Sequence, residues 1–366
     1  MIHLLMVVLL LLPWGTAAET SRVRVPDSSL SVSRVAFGSC SFQSVEQPIF
    51  RAVVKAQPDL YLSLGDAIYG DYDIATKAAY AVTPQTLRRE WQVLADNPGW
   101  QQLVAHVPVM ATWDNHDYGH HSAGKEFPLK AESEEIFLDF FGEPSGSNRR
   151  SRAGVYDSEI FGPEGRRVQV VLLDTRTFKS APVLAQRPEG TGGSLGKYAP
   201  NHDPAASLLG EEQWRWLERE LKRPADVRLV ASSGQVIADQ KGMDEWGNYP
   251  LERARHLDLV SSTESGKSIL LSGNVHFAEI SAVDVASGTL VDFTSSGLTH
   301  VNKEYPKAPN RYRIAGPHID LNFGLVEIDW EPSPTIVLKA IGVDGEVQFE
   351  YRMPAEDNDA AESGDD

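Results

Sequence analysis

Four short runs in this chain carry side chains that bind metals or move protons, and each follows a segment that reads as a β-strand. Gly38-Ser39-Cys40 follows residues 35–37. Gly65-Asp66 follows residues 60–64, with Asp71 five residues further on. Asp114-Asn115-His116-Asp117 follows residues 107–112, and Gly273-Asn274-Val275-His276 follows residues 269–271. Taken singly, a Gly-Asp step is commonly a turn and a lone cysteine commonly a small buried hydrophobe. Four such runs in order, each at a strand end, predict one shared site, because sites in layered α/β proteins collect at the carboxyl ends of strands.

The chemistry that these residue types suit is two-metal hydrolysis. Two cations about 3.5–4 Å apart need a bridging carboxylate, and Asp66 is the natural choice. The amide oxygen of Asn115 can complete one ion's shell, and His116 beside it can protonate a leaving alkoxide. A Cys40 thiolate would favour a soft or trivalent metal over Mg²⁺. Asp114 and Arg176 are the other catalytic candidates. Arg176 follows a strand at 168–173 and either grips a substrate phosphate bidentately or pairs with Asp174 or another neighbour. Cations would also supply positive charge that the chain lacks. Lys plus Arg is 34 against 51 Asp plus Glu, a net charge of −17. That balance excludes tracking a phosphate backbone, so no nucleic-acid partner is expected.

The elements that must position these runs follow from periodicity. Helical spacing covers 48–55, 83–95 (opened by a Thr-Pro start), 130–141, 210–221 and 251–260. Strands at 168–173 and 227–231 fall between them. From 279 onward strand follows strand, at 279–283, 290–293, 323–328, 335–341 and 346–351. That order predicts an α/β fold in which sheet packs on sheet. No linker or repeat divides the body, so a single catalytic domain is expected over 19–353. The Gly/Pro-rich stretch 187–204 reads as a long surface loop of functional type. Trp214 and Trp216 read as packing residues, and His106 and His256 as structural or exposed. His300, after a Gly-Leu turn, is a candidate for lining the cleft, and Glu279 for supporting His276 from behind.

The termini carry separate signals. An apolar run at 4–12, then Pro13, Gly15, Ala17 and Ala18, reads as a signal peptide over 1–18. The run is too short to hold as a bilayer anchor, and no other stretch is long and apolar enough. An exported product, periplasmic or secreted, with no transmembrane anchor after cleavage, is therefore expected. Cys40 is the single cysteine, so there is no internal disulfide. That is unusual for an exported chain and keeps metal ligation open beside simple burial. The segment 354–366 holds six acids and no base, and reads as a solvated, disordered tail.

Longer motifs carry a resemblance. FGSC (37–40), LGDAIYGD (64–71), VPVMATWDNHDYG (107–119), GKEFPLK (124–130), LLDTR (172–176), LGEEQWRWLERELK (209–222) and LSGNVHFAEI (271–280) span roughly residues 34–300. Together they resemble the PhoD-like (alkaline phosphatase D) family of the metallophosphoesterase superfamily. The resemblance implies a four-layer α/β/β/α sandwich of metallophosphoesterase type. It also implies hydrolysis of phosphate mono- or diesters at an iron–calcium centre. By position, Cys40 matches the family's thiolate iron ligand, Asp66 the bridging aspartate and Asp71 the calcium-binding aspartate. His116 matches the active-site histidine and His276 the histidine of the last loop.

The sequence also departs from that pattern. Asn115 stands where the family has a second aspartate, and Asn274 where it has an aspartate before the last histidine. His121 and Ser122 replace an Asn-Asp pair, and imidazole suits transition metals better than Ca²⁺. The family's phenolate iron ligand falls at the 86–95 helix, where this chain offers Trp91, which only donates. Tyr69 or Tyr80 then substitutes, or the iron site is altered. The implied cofactors are two or more metal ions, iron with calcium, with zinc or manganese as the alternative. Metal candidates are thus Cys40, Asp66, Asp71, Asn115, His121, Asn274 and His276. The implied substrate is a small phosphate ester or a phospholipid head group. The rival reading is a non-catalytic binding protein on the same fold.

Overall fold

Strand β1 (Arg34–Gly38) places Val35 and Phe37 on one face and Ala36 on the other, all fully buried. A strand apolar on both faces must be covered on both. The computed structural model describes residues 23–354 apart from 25, 187–194, 264–265 and 287, and it supplies that cover. The expected signal peptide and all of the acidic tail beyond Pro354 lie outside the described residues. So does part of the 187–204 loop.

The first sheet holds β1, β2 (Leu60–Leu64) and β3 (Val109–Thr112), all parallel. The second holds β4 (Asp157–Phe161), β5 (Val168–Leu172), β6 (Val227–Ala231), β7 (Lys267–Ser272), β8 (Ala278–Val285), β9 (Gly288–Ser295) and β10 (Arg313–His318). The chain then returns to the first sheet with β11 (Asn322–Asp329), β12 (Thr335–Gly342) and β13 (Val347–Arg352). Strand order is β13-β12-β11-β1-β2-β3 in one sheet and β10-β8-β9-β7-β6-β5-β4 in the other. In the second sheet β5, β6, β7 and β9 run parallel.

The two sheets pack face to face. Phe37, Leu62 and Leu64 meet Val170, Leu172, Leu229 and Leu271 in one cluster, and Phe37 sits edge-on to Phe293 at 5.0 Å. Each such side chain contributes about 1.5–3 kcal/mol by burial. Outside the first sheet lie α1 (Ile49–Lys55), α2 (Pro84–Asp96), α3 (Pro98–His106) and, after a single turn α4 (Asn115–Tyr118), α5 (Lys130–Phe140). Outside the second lie α6 (Gly210–Glu220) and α7 (Pro250–Ser261), with Trp214 and Trp216 buried against it. The layers are α/β/β/α.

Three elements escape the sequence pattern. Helix α3 begins on a Pro-Gly pair, which reads as a turn. Pro98 instead occupies the first helical position, and the Asn97 side chain caps the Gly99 N–H. Strand β4 is polar along an edge. Strand β10 contains Gly316-Pro317, tolerated because it too lies at an edge. Val107 ends α3 rather than starting β3. The described part of 187–204 contributes Tyr198–Ala199 to a short hairpin with Val183–Leu184. Among the described residues no helix is long and apolar enough to cross a membrane.

One regularity prepares the site. Two residues beyond the ends of β1, β2, β3, β5, β6 and β7 stand Cys40, Asp66, Asp114, Asp174, Ser233 and Asn274. Parallel strands in two stacked sheets thus deliver polar side chains to one rim.

Candidate metal centre

The turns at this rim are backbone-strained. Cys40, Asp66, Asn274 and His276 have φ of 62°, 50°, 69° and 60°, and among the described residues only two other non-glycines, Gln57 and Lys77, share that region. Such residues cost about 1–3 kcal/mol each and persist where surrounding structure over-determines them. Here the Asp117 carboxylate does so. It accepts N–H groups from Asp66 (2.5 Å), Ala67 (2.9 Å), Ile68 (3.0 Å) and Asp114 (2.9 Å), fastening the β2 turn to the β3 turn. Gly65 (φ 96°) lets the two turns touch, since a Cβ there would overlap the Asp114 backbone nitrogen.

Cys40, Asp66 and His276 each present one ligand atom, and these atoms lie within 4.8 Å of one another. The Cys40 thiol donates to Asp66 Oδ2 (3.4 Å) and accepts from Ser296 Oγ (3.1 Å), while Ser296 also accepts the His276 N–H (3.0 Å). Tyr69 joins them. Its ring lies 4.3 Å from that of His116, and its hydroxyl is 3.1 Å from His300 Nε2.

Burial pushes the Tyr69 hydroxyl well up, and the neighbouring Cys40 and Asp66 push it further. Burial likewise raises the Cys40 thiol, with Asp66 adding. Asp66 is pushed up to about 8, by burial first and by Asp114 and Asp117 next, against the pull of His116. Asp114 Oδ2 is buried without a partner. A thiol, a phenol, a carboxyl and an imidazole converge at Cys40, Tyr69, Asp66 and His276, and among the described residues no lysine or arginine pairs with Asp66. This donor set fits a soft or trivalent cation.

A second group adjoins the first. Asp71 Oδ1 holds His116 Nδ1 at 2.5 Å, and Asp71 Oδ2 accepts the His121 N–H at 3.2 Å. The His116 N–H points to Asp66 Oδ1 (3.3 Å), and Asn115 Nδ2 lies 3.5 Å from His121 Nδ1. Burial, then Lys197 and His116, bring His121 down to about 4, and burial brings His276 to about 4. Both are therefore neutral, the form that ligates. For His116 burial opposes charge, but Asp66 and Asp71 outweigh it and raise its pKa.

Several expected roles change. Trp91 is nowhere near the centre: it packs among Phe137, Phe140 and Phe141, with ring distances of 5.7, 4.4 and 5.7 Å. Tyr80 donates to the Tyr69 carbonyl (3.2 Å), so of the two tyrosines only Tyr69 faces the cluster. Arg176, 2% exposed, takes the ion-pair alternative rather than offering itself to a phosphate. Its Nε donates to Asp114 Oδ1 (2.7 Å) and its Nη1 to Asp244 Oδ2 (2.5 Å), which Lys179 also contacts (3.0 Å). Asp114 is thereby engaged through Oδ1, with Ser233 adding a hydrogen bond at 3.1 Å.

Asn274 spends its amide nitrogen on the Asp244 carbonyl (3.0 Å), a loop-anchoring contact. Glu279 does not back His276, because its carboxylate is taken by Lys241 and Arg313. Ser122 Oγ lies 3.2 Å from the Tyr198 hydroxyl. His106 is exposed, and His256 is buried and stacked on Trp246 at 4.5 Å. Ser296 and Asp244 are contributors that motif reading passed over. Asp117 lies in the 114–117 run, and the signal for its part as a clamp is its place as an acid at the third position of a helix whose cap is Asp114.

Comparison with known proteins accords with this arrangement. A family model described as PhoD-like phosphatase matches residues 35–333. Alkaline phosphatase D of Bacillus subtilis (strain 168) is 24% identical over 311 residues, which are 76% of this chain and 51% of that protein. The chain thus spans about half the length of that curated relative. A solved structure described as "Structure of PhoD" superposes with a TM-score of 0.64 at 18% identity, covering 91% of this chain and 73% of that one. It has the same fold.

Proposed function

Since the chain belongs to the PhoD-like phosphatase family, we propose that it is an exported, metal-dependent hydrolase of phosphate mono- or diesters. Cys40, Asp66, Tyr69 and His276 would hold one ion, and Asp71, Asn115 and His121, with Asp66 bridging, a second. The observation that carries this is the convergence of the Cys40, Asp66 and His276 donor atoms within 4.8 Å, beside a His116 held by Asp71. The thiol–phenol set favours iron at the first position. Calcium at the second, or zinc or manganese given His121, completes the reading. When bound, the ions supply Lewis-acid charge to the phosphoryl oxygens and acidify a water.

The chain's own residues supply the rest. Asp71 fixes the His116 ring through Nδ1, which leaves Nε2 to carry a proton to the leaving alkoxide. Asp117 keeps the two carboxylate-bearing turns in register. Arg176, bridging Asp114 and Asp244, holds the β3 turn against the 232–249 loop without touching substrate. Substrates of this reading are small phosphate esters, phospholipid head groups included. Export rests on the apolar run at 4–12 followed by small residues at 15–18, and delivers a periplasmic or secreted product.

The test is elemental mass spectrometry of the purified mature protein, paired with turnover of an aryl phosphate monoester and diester. We expect at least two metal equivalents, iron among them, and hydrolysis of one ester class. No tightly held metal and no turnover after refolding with iron, calcium, zinc and manganese would overturn the proposal in favour of a binding protein.

A further inference from the structure

We propose that His300 is a positioning residue for Tyr69: its Nε2–H donates to the Tyr69 oxygen and fixes the angle at which that oxygen faces Cys40 and Asp66. The inference rests on the reading of Tyr69 as a ligand. Tyr69 Oη and His300 Nε2 are 3.1 Å apart. The His300 ring cannot easily turn, since it stacks on Phe42 at 3.9 Å and meets the edge of His276 at 4.4 Å.

The direction of the hydrogen bond follows from that reading of Tyr69. A phenolate oxygen has no hydrogen to give, so the ring hydrogen sits on Nε2 and Tyr69 oxygen receives it. His300 Nδ1 is then an acceptor. It lies 3.2 Å from Thr299 Oγ1, whose hydroxyl accepts the Phe42 N–H at 2.8 Å and has one hydrogen for Nδ1 or the Cys40 carbonyl at 3.5 Å.

The same segment treats the thiol alike. Ser296 Oγ gives its hydrogen to Cys40 Sγ at 3.1 Å. The Leu298 and Thr299 N–H groups reach the carbonyls of Ser39 and Cys40 at 3.4 Å each. The stretch 296–300 thus carries none of the ligands proposed above, yet supplies one hydrogen to the thiol and one to the phenolate. Outer partners of this kind orient ligands and raise affinity.

The experiment uses the full-length protein loaded with ferric iron, comparing His300→Leu, His300→Gln and Thr299→Val. Tyrosinate on ferric iron gives a visible charge-transfer absorption, read alongside iron retention against a chelator. His300→Leu should move the band and weaken iron retention about 10–100-fold. His300→Gln, which keeps an N–H near the same place, should restore most of both, and Thr299→Val should fall between. A merely structural histidine would lower thermal stability without moving the band.

An unchanged band and unchanged retention in His300→Leu overturn the proposal. Should that variant fail to fold, unchanged values in Thr299→Val do the same. A wild-type protein with no tyrosinate band overturns both this proposal and the Tyr69 assignment. Phosphoester turnover is measured separately, so the hydrolase reading stands or falls by itself.

Discussion

Glu279 and Asp66 are almost equally buried, at 0% and 1% exposure, and sit in opposite electrostatic worlds. Glu279 on β8 is enclosed by groups that carry hydrogen. Lys241 and Arg313 pair with it, Gln235 Nε2 donates at 2.8 Å and Asn310 Nδ2 at 3.0 Å. Burial alone would raise its pKa, but Lys241 and Arg313 outweigh burial and lower it. Asp66 has a thiol at 3.4 Å and the His116 backbone N–H at 3.3 Å; the His116 ring pulls its pKa down, but burial with Asp114 and Asp117 outweighs that and pushes it up to about 8. Desolvation is common to both. The difference is that a lysine and an arginine pair directly with Glu279, whereas among the described residues neither type pairs with Asp66. A buried carboxylate left without a partner is costly. Its persistence at a strained rim, next to a thiol and a phenol, is what the metal centre proposed above would account for.

The largest test of that contrast is Asp66→Asn. Turnover should fall about 10³-fold, the scale of losing a preorganised charge-stabilising group. Yet the metal-free variant should be no less stable than metal-free wild type, because a buried carboxyl whose ionisation the site opposes is replaced by a neutral amide of the same shape. Unchanged turnover, or a marked loss of metal-free stability, would break the comparison.

Lys241→Met should do the reverse. Breaking a buried pair costs about 3–5 kcal/mol, and the low end is expected because Arg313 remains. Denaturant unfolding should show this, metal content should not change, and adding Glu279→Gln should return part of the loss.

The smallest effect is in acid. A carboxyl whose folded pKa lies below its ordinary 4.5 contributes stability fully present above that value and lost as the pH falls through the folded value. The unfolding free energy of wild type should therefore drop below about pH 4.5 more steeply than that of Glu279→Gln. Equal slopes would show that the Glu279 pairing adds nothing.

Much of the site was legible because it is built from local rules. Glycine or serine after an apolar strand, followed by a metal-capable side chain, marked Cys40, Asp66 and Asn274–His276, and the density of the Asp114–Asp117 run after a strand marked Asn115–His116. Asp71 was near enough to Asp66 in sequence to follow, and His121 came only from the family resemblance. The phenol was harder. Trp91 and Tyr69 compete only if one knows which face of α2 meets the site, and that face turns into a cluster of phenylalanines. Arg176 was open between two roles because its partners, Asp114 and Asp244, lie 62 and 68 residues away. Glu279 misled by proximity: it is three residues from His276, but its carboxylate belongs to Lys241, 38 residues earlier.

The sequence by itself determined that sheet packs on sheet in an α/β fold, which strand ends carry metal-capable side chains, and the net negative charge. These depend on period, turn chemistry and charge, which are properties of neighbours along the chain. Tertiary structure alone decided that Tyr69 rather than Trp91 faces the thiol, that Arg176 is held internally, and that residues 296–300 sit against both the thiol and the phenol. Those are outcomes of two sheets closing face to face. Only that closure brings β1, β2 and β9 to one rim and settles which buried charges find a partner in the chain.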